Sequence, residues 1–352
     1  MPWLLSRRQD LLMMIGPLLL AFALHLGMPS DMERPLWGYL LFVVSFDVAH
    51  VWTTIYLTYF DPDERRRRPR VYALIPLAAA FTSFALCLYS PVVFWTALAY
   101  IAIGHFIKQQ IGFLALYSAK EEPSSQRDRS FDRFVVWVGA LGPILLWHAD
   151  PTEIFDWFDS GEQFLVRLPP IEAAVVTLMA VTASAWLVRQ LFRWRAGTLR
   201  APRVLWVACC WVSWWYGLRV AEHFFVAAAF INLFHGIPYT MLVWRRLTAS
   251  RRLRAEQSPP SVSRWVANGG HWIVFYLSVL LLALLEEGLW DTFVWGQYGV
   301  QLFGLDAPHG QAVTMALWVA LLSLPQVTHY ALDGVIWKGG TNPDVKDIVV
   351  RR

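Results

Sequence analysis

Stretches of about 20 predominantly apolar residues recur along the whole chain, and they constrain its fold more than any other feature. The hydrocarbon core of a bilayer is about 30 Å thick, which an α-helix of about 20 residues crosses. The sequence therefore predicts an all-α, polytopic integral membrane bundle of about ten transmembrane helices, with eight as the lower bound. The candidate stretches, of which the fifth and seventh are short, are 11–28, 36–60, 71–89, 93–118, 134–149, 170–188, 203–219, 222–244, 269–288 and 311–334.

The composition favours lipid as the main environment. Of the 352 residues, 57% are hydrophobic and 16% are charged, whereas about a quarter of the residues of soluble domains are charged. The chain also contains 20 Trp, and indole rings favour the membrane interface. We therefore expect a single transmembrane domain over residues 1–352, with membrane lipids as its main partners.

The basic residues indicate how the chain is oriented. With ten helices, every strongly basic loop falls on one side, which the positive-inside rule makes cytoplasmic. Both termini are then cytoplasmic, residues 339–352 form a short cytoplasmic tail, and a bacterial inner membrane is the expected location. Since this pattern accounts for the net charge of +4, nucleic acid is not an expected partner. The basic segments are 6–8, 63–70, 120–133, 189–203, 245–257 and the tail from Lys338.

Two segments on the opposite side have a different character. Residues 151–168 and 289–305 contain scattered Trp, Phe and acidic side chains without a long apolar run. Such segments are typical of amphipathic helices that lie in the membrane interface. We predict interfacial helices on the outer face at both places.

Four of the predicted helices carry polar side chains within their apolar parts. Ionisable groups at the centre of a bilayer are costly, and they usually face a cavity or each other. We therefore expect these helices to line a functional site. The second helix carries Asp47, His50 and Thr54; the fourth His105, Lys108 and Gln109; the eighth Asn232, His235 and Tyr239; and the tenth His329 and Asp333.

Spacing and depth bring these groups together. Separations of three and four residues, as between His329 and Asp333, place two side chains on one helix face. His50 lies ten residues before Phe60, His235 ten before Arg245, and His329 nine before Lys338. At a rise of 1.5 Å per residue, the three histidines are about 13–15 Å from the cytoplasmic boundary. His105 lies about one turn farther out, so the sequence predicts one buried site in the inner half of the bilayer.

Imidazole and carboxylate groups on facing helices are usual metal ligands in helical bundles. We predict His50, His105, His235, His329, Asp47 and Asp333 as metal ligands, and Asn232, Gln109, Tyr239, Lys108 and Thr54 as neighbours of the metal or of a substrate. Glu222 and His223 are weaker candidates, since they enter the membrane only if the seventh and eighth helices join differently. No residue is assigned a catalytic role.

The ligand types favour iron. Imidazole suits Fe, Cu and Zn, Cys87, Cys209 and Cys210 are not spaced with the histidines, and the H-E-x-x-H motif of zinc peptidases is absent. Saturated carbons in a bilayer require an oxidant, and a buried site protects reactive intermediates from water. We therefore predict a membrane oxidoreductase with one or two non-haem iron ions, a lipid or other hydrophobic substrate, and an electron donor. Fatty-acid desaturases and hydroxylases offer an analogy, but their H-x-x-x-H and H-x-x-H-H boxes are missing here.

Three alternatives fit the same residues. Two of the histidines on facing helices would serve as axial ligands of a b-type haem. A chain of His and Asp side chains would carry protons or metal ions through a transporter. In a non-catalytic membrane subunit, the polar groups would only hold the helices together.

Overall fold

A computed structural model describes residues 3–27, 36–121, 126–149, 168–221, 224–250, 253, 259–296 and 312–350. The regular structure of these residues is helical throughout, which confirms the all-α prediction. In chain order the helices are α1 (Arg7–Gly27), α2 (Leu36–Leu57), α3 (Pro62–Arg67), α4 (Pro69–Tyr89), α5 (Pro91–Lys120), α6 (Gln126–Ala149), α7 (Glu172–Arg195), α8 (Ala201–Trp215), α9 (Phe225–Ala249), α10 (Val262–Gly269), α11 (Trp272–Trp295), α12 (Ala312–Leu322), α13 (Leu324–Ile336) and α14 (Pro343–Val350).

Eight helices among the described residues are long and apolar enough to cross a membrane. Helices α12 and α13 meet at an angle of 42° and make a ninth candidate if they form one broken span. The difference from the ten predicted spans arises at 203–219. There α8 continues as a π-helical turn, Tyr216–Val220, and this helical stretch is not among those that are both long and apolar enough to span. The described part of the chain is thus all-helical, with eight or nine candidate membrane spans.

Several predicted boundaries change. Helix α11 continues to Trp295, so the first part of the predicted interfacial segment 289–305 belongs to a membrane-type helix. The part of this segment beyond residue 296 lies outside the described part of the chain. The same holds for residues 151–167 of the predicted interfacial segment 151–168. Within the predicted tail, α14 packs through buried Val345 and Ile348. Its Asp344 accepts a hydrogen bond of 2.9 Å from the Ser250 hydroxyl.

The chain divides into two compact units. The first comprises residues 1–34 and 104–238, and the second comprises residues 35–103 and 239–352. Two helices, α5 and α9, are continuous across the points where the chain passes from one unit to the other.

In the first unit, α6 packs tightly against α7 and α8. The indole of Trp211 lies directly over Gly139, and its Nε1 donates a hydrogen bond of 2.9 Å to the carbonyl of Val135. Small residues at such contacts let membrane helices approach closely. At one end of these helices the guanidinium of Arg203 pairs with Glu121 at 2.9 Å and with Asp132 at 2.8 Å, so the buried charges compensate one another.

In the second unit, α2 packs against both α11 and α13, and α4 packs against α12 and α13. The shared apolar core of α2, α9, α10 and α11 includes Tyr56, Val243, Val266, Phe275 and Val279. This packing places the polar face of α2 beside the polar face of α13.

We predict that Gly139→Ala lowers the stability of the protein. An added Cβ would overlap the Trp211 indole, and overpacking of this kind costs about 1–3 kcal/mol. Thermal unfolding in one detergent would show the change as a lower Tm. Gly112→Ala is the matched control, because nothing lies within 4 Å of its added Cβ. Equal Tm values for the two variants would contradict the packing described for α6.

Candidate metal centre

The second unit brings together two of the predicted histidines, His50 on α2 and His329 on α13. Both side chains are 1% exposed, and their rings meet edge to face with centroids 5.0 Å apart. One ring nitrogen of each lies within 4.8 Å of the other. Two imidazoles at this separation, on apolar helices, can act as ligands of one ion.

Polar neighbours fix the orientation of His329. The hydroxyl of Thr54, one turn after His50 on α2, lies 2.7 Å from Nδ1 of His329. A carboxylate oxygen of Asp333 lies 3.8 Å from the same nitrogen. Because Nδ1 is engaged on this side, a metal ion on His329 would bind through Nε2.

The two predicted aspartates lie beside histidines. Asp47 places a carboxylate oxygen 3.6 Å from Nδ1 of His50, as Asp333 does for His329. Metal-ligating histidines commonly have a carboxylate partner on their second nitrogen, which orients the ring and raises its basicity. In the described residues, the group that could hold a metal ion consists of the four histidines, and the aspartates fit this partner role.

The first unit brings together the other two predicted histidines, His105 on α5 and His235 on α9. Their rings meet edge to face with centroids 5.1 Å apart, and one nitrogen of each lies within 4.8 Å of the other. Phe106 stacks on His235 with centroids 3.7 Å apart. Gln109 donates a hydrogen bond of 2.9 Å to the backbone carbonyl of His235. His235 is therefore held at its ring by an aromatic stack and at its backbone by an amide hydrogen bond.

A π-helical segment comes directly before His50 and another before His235. The first, Tyr39–Val48, ends two residues before His50, and the second, Ala229–Leu233, ends two residues before His235. Such segments are rare and are frequent at functional sites. Asn232 belongs to the second segment and is half-buried. The prediction that Asn232 and His235 share one face assumed 3.6 residues per turn. That assumption does not hold here, because Asn232 lies in a π-helical turn and His235 in the α-helix that follows it.

The remaining predicted residues have different positions. Tyr239 is buried and belongs to the surroundings of His50 and His329. Lys108 is exposed on α5, whereas His105 on the same helix is buried. Glu222 and His223 lie outside the described residues.

A buried acidic group that the sequence pattern did not predict lies in the second unit. The Trp52 indole donates a hydrogen bond of 2.6 Å to Glu286, and the Tyr39 hydroxyl donates one to Glu287. Both glutamates lie within α11, well before its end at Trp295. The prediction ended this helix at residue 288, because two adjacent acidic residues resemble a helix end. Their position within an apolar run was the sequence feature that could have indicated a buried acidic group.

Comparison with known proteins gives no match: no family model, no curated protein and no solved structure is similar to this chain. The chemistry therefore has to be argued from the donor set. Neutral imidazole nitrogens suit Fe, Cu, Ni and Zn, and do not suit Mg or Ca, which prefer oxygen. The ring nitrogens of each histidine pair are therefore suited to a transition-metal ion.

We predict that Thr54→Val changes the hydrogen bonding of His329 Nδ1. The substitution keeps the shape of the side chain and removes the hydroxyl at 2.7 Å. Nitrogen-15 NMR of histidine-labelled protein would show a shifted Nδ1 resonance. Thr53→Val is the matched control, because the buried Thr53 hydroxyl donates to the His50 carbonyl of its own helix. A His329 resonance that is the same in wild type and Thr54→Val would refute the contact.

Proposed function

We propose that this protein is a membrane-embedded, metal-dependent oxidoreductase with a non-haem iron centre of one or two ions and a lipid or other hydrophobic substrate. The observation that carries the proposal is the presence of four buried histidines in two pairs, each pair offering two ring nitrogens within 4.8 Å. Imidazoles are rare inside membrane helices because they are costly there. The favourable free energy of metal binding would offset this cost.

Aromatic packing supports a ligand role for His50 and His329. The Tyr239 ring lies edge to face with the rings of both histidines, at centroid distances of 5.5 and 5.1 Å. These contacts hold the two imidazoles in one orientation on facing helices.

The surroundings support redox chemistry on an apolar substrate. The candidate spans α2, α5, α9 and α13 are predominantly hydrophobic, so a substrate from the bilayer would reach the centre without crossing water. Iron with nitrogen ligands supplies oxidation by oxygen when it is bound. Asp47 and Asp333 would orient His50 and His329, and an electron donor at the membrane surface would supply reducing equivalents.

The first experiment measures metal content and the optical spectrum of detergent-purified protein. We expect about one or two iron ions per chain, no Soret band, and loss of the metal in His235→Ala and His329→Ala. His148→Ala is the matched control. It also removes a buried membrane histidine, but one whose Nδ1 lies 2.7 Å from the Ile144 carbonyl of its own helix.

Other results would change the assignment. A Soret band would favour a b-type haem protein, and copper instead of iron would keep the oxidoreductase class but not the metal. Folded protein without metal, unchanged by either substitution, would overturn the proposal. A transporter or a subunit held together by its polar side chains would then be the better interpretation.

We further propose that the basic loops face the cytoplasm of a bacterial cell. The segment 63–70 carries exposed arginines, including Arg66, and Tyr89 at the other end of α4 is 81% exposed. In intact cells, an impermeant thiol reagent should label Tyr89→Cys but not Arg66→Cys, and permeabilised cells should label both. The three native cysteines are buried, so unsubstituted protein is the control. The opposite labelling pattern would reverse the topology.

A further inference from the structure

We infer that Tyr239 is a redox-active residue. It exchanges single electrons with a metal ion bound by His50 and His329, while its phenolic proton moves to Asp333. The inference rests on the proposed function and extends it to a named residue. It arises from the hydrogen bonds and ring contacts of the second unit.

Tyr239 is fully enclosed, with 1% of its surface exposed. Its hydroxyl donates a hydrogen bond of 2.5 Å to the Asp333 carboxylate. The Trp337 indole Nε1 donates a hydrogen bond of 3.3 Å to the phenol oxygen of Tyr239. The Thr54 hydroxyl lies 3.3 Å from that phenol oxygen. A buried polar group needs only one partner to offset its desolvation, and this phenol has three.

The ring of Tyr239 is in contact with the histidines themselves. It meets His50 and His329 edge to face, and Thr54 connects the phenol to Nδ1 of His329 through two successive short contacts. An electron can therefore pass between the phenol and a metal-bound imidazole without crossing a gap. Trp337 extends the contact on the other side, with its ring centroid 5.9 Å from that of Tyr239.

The electron and the proton that leave Tyr239 each have an acceptor. The phenol of Tyr239 would give one electron to an oxidised metal ion held by the histidines, whose charge would fall by one unit. The O–H bond of Tyr239 breaks, and the proton moves along the short hydrogen bond to the carboxylate of Asp333, which becomes a carboxylic acid. A neutral tyrosyl radical remains, and a one-electron donor reverses the step. The hydrogen bond to Asp333 matters because an oxidised phenol that keeps its proton is a strong acid.

Tyr330 provides a comparison within the same helix. It follows His329 directly, and its ring lies 5.7 Å from that imidazole. Its hydroxyl, however, accepts a hydrogen bond of 2.7 Å from the Gln326 amide. The two tyrosines are thus similar in distance to His329, and Tyr239 is the one that donates a hydrogen bond to Asp333.

The test uses full-length protein loaded with iron(II), exposed to oxygen and frozen within milliseconds for EPR spectroscopy, with the metal content measured for each sample. We expect a tyrosyl radical in wild type, identified by the narrower spectrum of protein that contains deuterated tyrosine. The radical should be absent from Tyr239→Phe, reduced in Asp333→Asn, and unchanged in the matched control Tyr330→Phe.

A second variant keeps the inference testable if Tyr239→Phe does not fold. Trp337→Phe removes a hydrogen-bond donor to the phenol oxygen, and it should change the spectrum of the radical without changing metal content. The inference is overturned if metal-loaded wild type forms no tyrosyl radical, or if the radical persists in Tyr239→Phe or is unaltered in Trp337→Phe. Failure of the wild type to bind any redox metal would instead overturn the proposed function, and this inference with it.

Discussion

The cost of placing an imidazole in hydrocarbon governs the arrangement of the polar residues in this protein. A buried polar group without a partner costs several kcal/mol in an apolar medium, about 4–8 by the strictest transfer scale. In the second unit, two contacts reduce this cost: the Thr54 hydroxyl lies 2.7 Å from Nδ1 of His329, and the Asp47 carboxylate lies 3.6 Å from Nδ1 of His50. These partners also restrict ring orientation, so solvation and positioning are achieved by the same contacts.

The candidate spans were predictable because one physical length decides them. A run of about 20 apolar residues is recognisable in one dimension, and eight helices, with the bent pair α12 and α13, follow this rule. The rule fails for α8, which continues as a π-helical turn to Val220 but is not among the helices apolar enough to span. It also misplaced the end of α11, because Glu286 and Glu287 have the composition of a helix end while lying inside the helix.

The candidate site was predictable in its members but not in its arrangement. A polar residue in an apolar run is visible in the sequence, and His50, His105, His235 and His329 were found in this way. That His50 pairs with His329, and His105 with His235, depends on which helices pack together. The exposure of Lys108 was not predictable either, because spacing alone does not say which part of a helix face is covered by a neighbour. The contacts of Phe106 and Trp337 depend on ring orientation, which the sequence does not specify.

The π-helical segment of α2 has a consequence for how this helix can change. Tyr39, at its start, bonds to Glu287, whereas His50, just beyond its end, faces His329. The wider turn adjusts the rotational phase of the helix between these two contacts. The number of residues between Tyr39 and His50 is therefore constrained as strictly as their identity. Losing or gaining one residue there would turn one contact away by about 100°, even if every side chain that makes the two contacts were retained.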